Sequence, residues 1–268
     1  MMKSMWRVAV SAGLVILGSA GLAVAGPIGQ TGSFTWTRQS GYHTGSGGEF
    51  SIANYTGINN NSYVDTGTDM TYTKNIGTTL TGQINFETFC LETGEYAASP
   101  SYFVVGSAAA RGGTVSSTDT ISKGTAYLYS EFAKGTLTVT GGNYFAAGSP
   151  TRATEAGLLQ QAIWWLEGEG SDISDATYAS NPYANAVVSM FGSIAGAKGD
   201  ATAGYLGVYV LNNFTTATAR DAWVQTGTFD STKKAQDFLY YSVPDAGTTL
   251  VLLGGALVGL GALRRKER

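Results

Sequence analysis

The 268-residue chain has one cysteine, Cys90, and one histidine, His43, which limits the side-chain chemistry open to it. A lone cysteine has no internal disulfide partner, so Cys90 is a small buried hydrophobe, pairs with another chain, or reacts. Any Ser-His-Asp triad or histidine-based metal site must use His43. Its Gly/Ser/Thr-rich setting, Gly41 to Gly48, reads as an exposed loop. Gly45-Ser46-Gly47-Gly48 does not open a helix after a buried strand, so a turn is expected there and not a dinucleotide loop. Asn59, Asn60 and Asn61 with Asp65 and Asp69 offer oxygens to a hard cation, yet without EF-hand spacing. Glu167 and Glu169 pose as a carboxylate pair at a predicted helix end, where water is their expected neighbour. These patterns point away from hydrolase chemistry. No enzymatic activity, cofactor or bound metal is expected.

The elements that must position Cys90 follow from periodicity. Phe34 to Arg38 alternates like a half-buried strand, and Glu49 to Ile52 does so again. In Ile84 to Leu91, one face carries Ile84, Phe86, Thr88 and Cys90, and the other Asn85, Glu87, Phe89 and Leu91. Ala126 to Phe132 has helical spacing. Ser149-Pro150 opens a stronger helix over Thr151 to Glu167, stopped by Gly168, and Asn181-Pro182 opens another over Tyr183 to Ile194. Tyr205 to Leu211 and Phe238 to Ser242 return to strand character. Strands flanking a central helical segment predict an α+β body with a mainly antiparallel sheet or sandwich.

Two short patterns add a chemical expectation. Phe89-Cys90-Leu91 and Leu159-Gln160-Gln161-Ala162-Ile163-Trp164 resemble the thioester domains of bacterial surface adhesins. In that family a cysteine thiolate attacks a glutamine carboxamide, releases ammonia and leaves a Cys–Gln thioester. The resemblance implies Cys90 as thiol and Gln160 as acyl side. Leu159 stands where those adhesins favour threonine, and Gln161 offers a rival carboxamide on another helical face. Holding the two groups at attack distance can contribute about 7–11 kcal/mol to lowering the barrier. On the helix Gln160 shares a side with Ala156, Ile163 and Trp164, so Trp164 is placed to cover the site.

The ends of the chain carry addresses. Met1 to Ala25 has basic Lys3 and Arg7, an apolar stretch and an A-x-A site that predicts cleavage between Ala25 and Gly26. At the other end stand Val243-Pro244-Asp245-Ala246-Gly247, an apolar run from Thr248 to Leu263, and the basic cluster Arg264, Arg265, Lys266 and Arg268. At about 1.5 Å per residue that run reaches roughly 24 Å as a single transmembrane helix, short of a hydrocarbon core of about 30 Å. Its cluster is expected on the cytoplasmic side. The order of parts resembles PEP-CTERM sorting tails, most closely the VPDSG-CTERM variant, with Ala246 where that variant usually has serine. The resemblance implies an exosortase-type membrane protease as partner, after export by the Sec machinery and signal peptidase, and a Gram-negative-type bacterium that makes exopolysaccharide. Gly124 to Tyr129, Gln161 to Glu167 and Ala235-Gln236-Asp237 also resemble a body type that recurs among such sorted proteins, one that brings no mechanism with it.

The expected organisation is therefore a signal peptide (1–25), an extracytoplasmic body (26–242) and a sorting tail (243–268). The chain has 16 Lys/Arg against 19 Asp/Glu, and six of those bases lie in the terminal segments. An acidic body excludes a nucleic-acid footprint, and aromatics at 12% exclude a disordered one. The expected protein is anchored briefly in the inner membrane, then placed at the surface or in an exopolysaccharide matrix. A non-enzymatic surface or matrix protein comes first. A thioester adhesin for an amine-bearing surface ligand and a carbohydrate-binding module using Trp36, Trp164 and Trp165 are the alternatives.

Overall fold

A computed structural model describes residues 27–44, 47–58, 64–65, 85–110, 118–139, 142–144, 152–170 and 172–242. The segments expected to be a signal peptide (1–25) and a sorting tail (243–268) lie outside the described residues. The main sheet is antiparallel and contains β1 (Thr31–Thr44), β2 (Gly47–Ala53), β3 (Val64–Asp65), β4 (Asn85–Thr88) and β5 (Ser101–Gly106). Two small hairpins follow, β6 (Ala108–Ala109) with β7 (Asp119–Thr120) and β8 (Thr138–Val139) with β9 (Gly142–Asn143). The last two strands, β10 (Val208–Phe214) and β11 (Lys234–Tyr241), complete a sheet of order β11-β10-β5-β1-β2-β4-β3.

The sheet curls until its far ends meet. Just past β4, Cys90 forms an antiparallel bridge with Phe238 of β11. The Leu91 amide donates to Asp237 O (3.1 Å) and the Leu239 amide to Phe89 O (3.3 Å). Strand alternation then sorts the side chains into two cores. Phe34, Phe50, Ile52, Phe86, Cys90, Phe103, Val105, Tyr209, Leu211, Phe238 and Tyr240 fill the inside of the closed sheet. Phe89, Leu91, Val208, Val210, Leu239 and Tyr241 face outward into a second core beneath the helices. Of the expected two faces of Ile84 to Leu91, Phe86 and Cys90 lie in the inner core and Phe89 and Leu91 in the outer one, while Ile84 lies outside the described residues.

The helices are α1 (Lys123–Lys134), α2 (Arg152–Glu167), α3 (Pro182–Phe191), α4 (Ile194–Ala197) and α5 (Ala217–Thr226). Several boundaries have a local cause. Ser122 caps α1 by accepting from the Thr125 amide, and Gly135 ends it in the left-handed region at φ 68°. Asn181 caps α3 ahead of Pro182. The α+β class with a mainly antiparallel sheet is as expected, although one curled sheet takes the place of two facing sheets. Other expectations change. The ladder pairs His43 with Gly48 and Thr44 with Gly47, so β1 runs through the first half of the expected Gly41–Gly48 loop and β2 begins at Gly47. Helix α3 stops at Phe191 because Gly192 takes φ 75°, short of the expected Ile194. Strand β10 begins at Val208, after a 3-10 turn over Tyr205–Gly207.

Candidate functional site

Helix α2 lies along β1 and β2 and brings Gln160 to the seam where the sheet closes. Regular pairing of β2 with β4 ends at Phe50↔Thr88. Two residues further, the side chain of Gln160 takes the place of the missing strand partner. Its Oε1 accepts from the Cys90 amide (3.1 Å) and from the Gly48 amide (3.0 Å), and its Nε2 donates to Cys90 O (2.9 Å). Gln160 is fully buried and Cys90 is 3% exposed. The two residues paired by resemblance are thus neighbours in space.

Gly47 makes the close approach possible. A Cβ there would stand 2.4 Å from Cζ2 of Trp164 and 2.7 Å from Cγ of Gln160, inside any tolerable contact. Trp164 belongs to the same interior core as Cys90, and Arg38 Nη2 donates to Gly47 O (3.2 Å). Burial pushes the Cys90 thiol far above its ordinary range, the positive charge of Arg38 opposes that rise, and Glu95 adds to it. Two backbone N–H groups on one amide oxygen polarise the Gln160 carbonyl and would stabilise negative charge there. The residue that supplies one of those donors also carries the thiol.

The remaining sequence-predicted groups fall elsewhere. Gln161 points away from Cys90 and donates to Asp172 Oδ2 (3.0 Å), as its helical angle predicts. Glu169 does not face water as expected but is buried, and Glu167 is only partly exposed, its carboxylate turned to the start of α1. Glu167 accepts from the Ser122 amide (3.1 Å), and burial pushes it up to about 7 against the hydrogen bonding of Ser122. Glu169 is buried and accepts from the Thr93 amide (3.4 Å). Trp164 and Trp165 belong to the two cores, while Trp36 is half-buried. The backbone of His43 is part of β1. Asn59 to Asn61 and Asp69 lie outside the described residues. Among the described residues no group of three or more His, Cys, Asp or Glu could hold a metal ion, and no helix is long and apolar enough to cross a membrane.

Sequence reasoning missed Gly47, Gly48 and Arg38. The Gly-Gly pair is the available signal, since glycine in a strand often marks a close approach of another group to the backbone.

Comparison with known proteins adds one finding at the chain's far end. Residues 242–266 match the VPDSG-CTERM motif family, over the segment whose resemblance the residues had indicated. Tails of this kind mark exported proteins that an exosortase-type membrane enzyme sorts toward the surface. No curated protein and no solved structure matches the chain.

Proposed function

We propose that this is a non-enzymatic surface or matrix protein whose body carries a single-use Cys90–Gln160 thioester, by which it bonds covalently to an amine-bearing ligand at an exopolysaccharide-rich surface. The sorting motif supports delivery to that surface. The observation that carries the thioester reading is the Gln160 carboxamide clamped onto the Cys90 peptide group and the Gly48 amide.

The chemistry balances without a cofactor. The Cys90 sulfur attacks Cδ of Gln160 and the C–Nε2 bond breaks. Nε2 leaves as ammonia, carrying the thiol proton, and the Cys90 and Gly48 amides remain on the carbonyl oxygen. An amine from the partner then adds to Cδ and releases the thiol. Burial disfavours a free thiolate at Cys90, so the thiol proton passes to the departing nitrogen as the sulfur–carbon bond forms. Burial also keeps water from the product.

The same three hydrogen bonds favour one other reading, in which Gln160 is a structural clamp and Cys90 a packing residue. Intact mass of the folded body separates the two. The thioester removes about 17 Da, whereas a clamp leaves the sequence mass unchanged.

A further inference from the structure

We propose that residues 92–100 form a strap sealing the Cys90 end of the closed sheet, and that a single proton on the buried Glu95–Lys234–Asp237 cluster decides whether it is held down. The strap itself is independent of the thioester; only its consequence, access to Cys90 and Gln160, rests on that reading.

The strap is tied at both ends and in the middle. Thr93 Oγ1 donates to Glu169 O (2.7 Å), and the Trp36 indole donates to Ala98 O (2.5 Å). Between them the Gln236 amide donates to Tyr96 O (3.0 Å) and the Asp237 amide to Glu95 Oε2 (3.1 Å). Ala97 packs against the interior core that contains Cys90. Glu95 turns inward while its neighbour Tyr96 is 86% exposed, so the central tie is the Glu95 carboxylate.

That tie is a charge cluster in a nearly dry place. Lys234 Nζ donates to Glu95 Oε2 (3.1 Å), to Asp237 Oδ1 and to Ala235 O. The side chains are 4% exposed for Lys234, 15% for Glu95 and 0% for Asp237. Facing Glu95 are Lys234 and Asp237 from β11 and the Cys90 thiol from the seam. Arg38 of β1 acts on that thiol in turn, while Glu92 and Glu169 are buried at the strap's other end. One cation cannot balance two carboxylates here, so the cluster is neutral only with one proton aboard. Burial first, then Asp237, push Glu95 up to about 7, with Lys234 opposing, and burial raises Asp237 as well.

The sign follows. A carboxyl raised on folding stabilises the closed strap fully below its ordinary range, and that contribution is lost as pH rises through about 7. The strap therefore loosens in mildly alkaline solution and opens a path to Cys90 and Gln160 for an incoming amine, which is itself more nucleophilic at that pH.

The test is amide hydrogen exchange of the folded body between pH 6 and 9. Exchange at Gln236 and Asp237 is divided by that of Val210 and Leu211 in β10, which cancels the intrinsic pH dependence. The ratio should rise about tenfold between pH 7 and 8.5 in the wild type and stay flat in Glu95→Gln, which keeps an oxygen for both donors. A flat wild-type ratio, or an equal rise in Glu95→Gln, overturns the proposal. Should the variant fold poorly, the wild-type ratio alone decides. A second arm reads methylamine uptake, wild type over Glu95→Gln, expected to be near one at pH 6 and to rise at pH 8.5. A body that takes up no methylamine at any pH speaks against the thioester, while exchange still judges the strap.

Discussion

Gln160 pairs with Cys90 as one strand pairs with another: its carboxamide both accepts from the Cys90 amide and donates to the Cys90 carbonyl. A side chain on a helix has taken over a ladder position where β2 and β4 part. The arrangement serves two ends at once. It satisfies backbone groups that burial would otherwise leave unpaired, and it fixes a carboxamide against the residue that bears the only thiol.

The first prediction concerns that satisfaction. Gln160→Ala leaves the Cys90 N–H and C=O and the Gly48 N–H without their partner, each a buried group worth about 1–3 kcal/mol when unsatisfied. Measured against wild type whose thioester has been opened by methylamine, so that no cross-link enters the comparison, denaturant unfolding should show a loss of about 2–4 kcal/mol, with some relief from water entering the gap. On the same reference Cys90→Ala removes only a small buried group and should cost about 1–2 kcal/mol. Equal losses for the two variants would contradict the clamp geometry.

Gly47 gives a steric prediction. Gly47→Ala drives a methyl into Trp164 and the Gln160 stem, so α2 must shift away from the seam. Its melting temperature should fall by about as much as a 2–3 kcal/mol overpacking defect demands. Ala substitution at Gly94, which has open space around it, should leave the melt nearly unchanged.

How much of this was legible in the sequence differs from element to element. Helix α2 was readable because Ala156, Gln160, Ile163 and Trp164 recur at helical spacing and all are buried. The alternation around Cys90 likewise told which residues share its face. Helix α5 gave no such signal, since none of its residues is buried. The ring closure of the sheet was invisible too, because it rests on Cys90 meeting Phe238 far along the chain. The environment of Glu167 and Glu169 depends on Ser122 and Thr93, contacts that no local pattern encodes.

Glu167 offers a pH prediction. Burial raises its carboxyl to about 7, so the folded body binds its proton more tightly than the unfolded chain. Its contribution to stability is full below the ordinary carboxylate range and declines as pH rises through about 7. Unfolding free energy measured from pH 4.5 to 8 should therefore fall less steeply in Glu167→Gln than in the wild type. Parallel profiles would show that the native carboxyl titrates as it does in the unfolded chain.

The sorting tail makes a separate prediction. Peptide mapping of protein from its native host should recover the body and no fragment from Thr248 to Arg268, and Pro244→Ala should leave the precursor unprocessed. A stable full-length form in the envelope would contradict sorting.

The central claim is met most directly by the intact mass of freshly purified, folded body. The account predicts a species about 17 Da lighter than its sequence, restored by methylamine with release of one titratable thiol. Cys90→Ala and Gln160→Ala should both abolish the deficit, while Gln161→Ala, whose side chain bonds Asp172, should retain it. An unmodified mass with a thiol that titrates only on denaturation would contradict the thioester and leave Gln160 as a clamp on a packing cysteine.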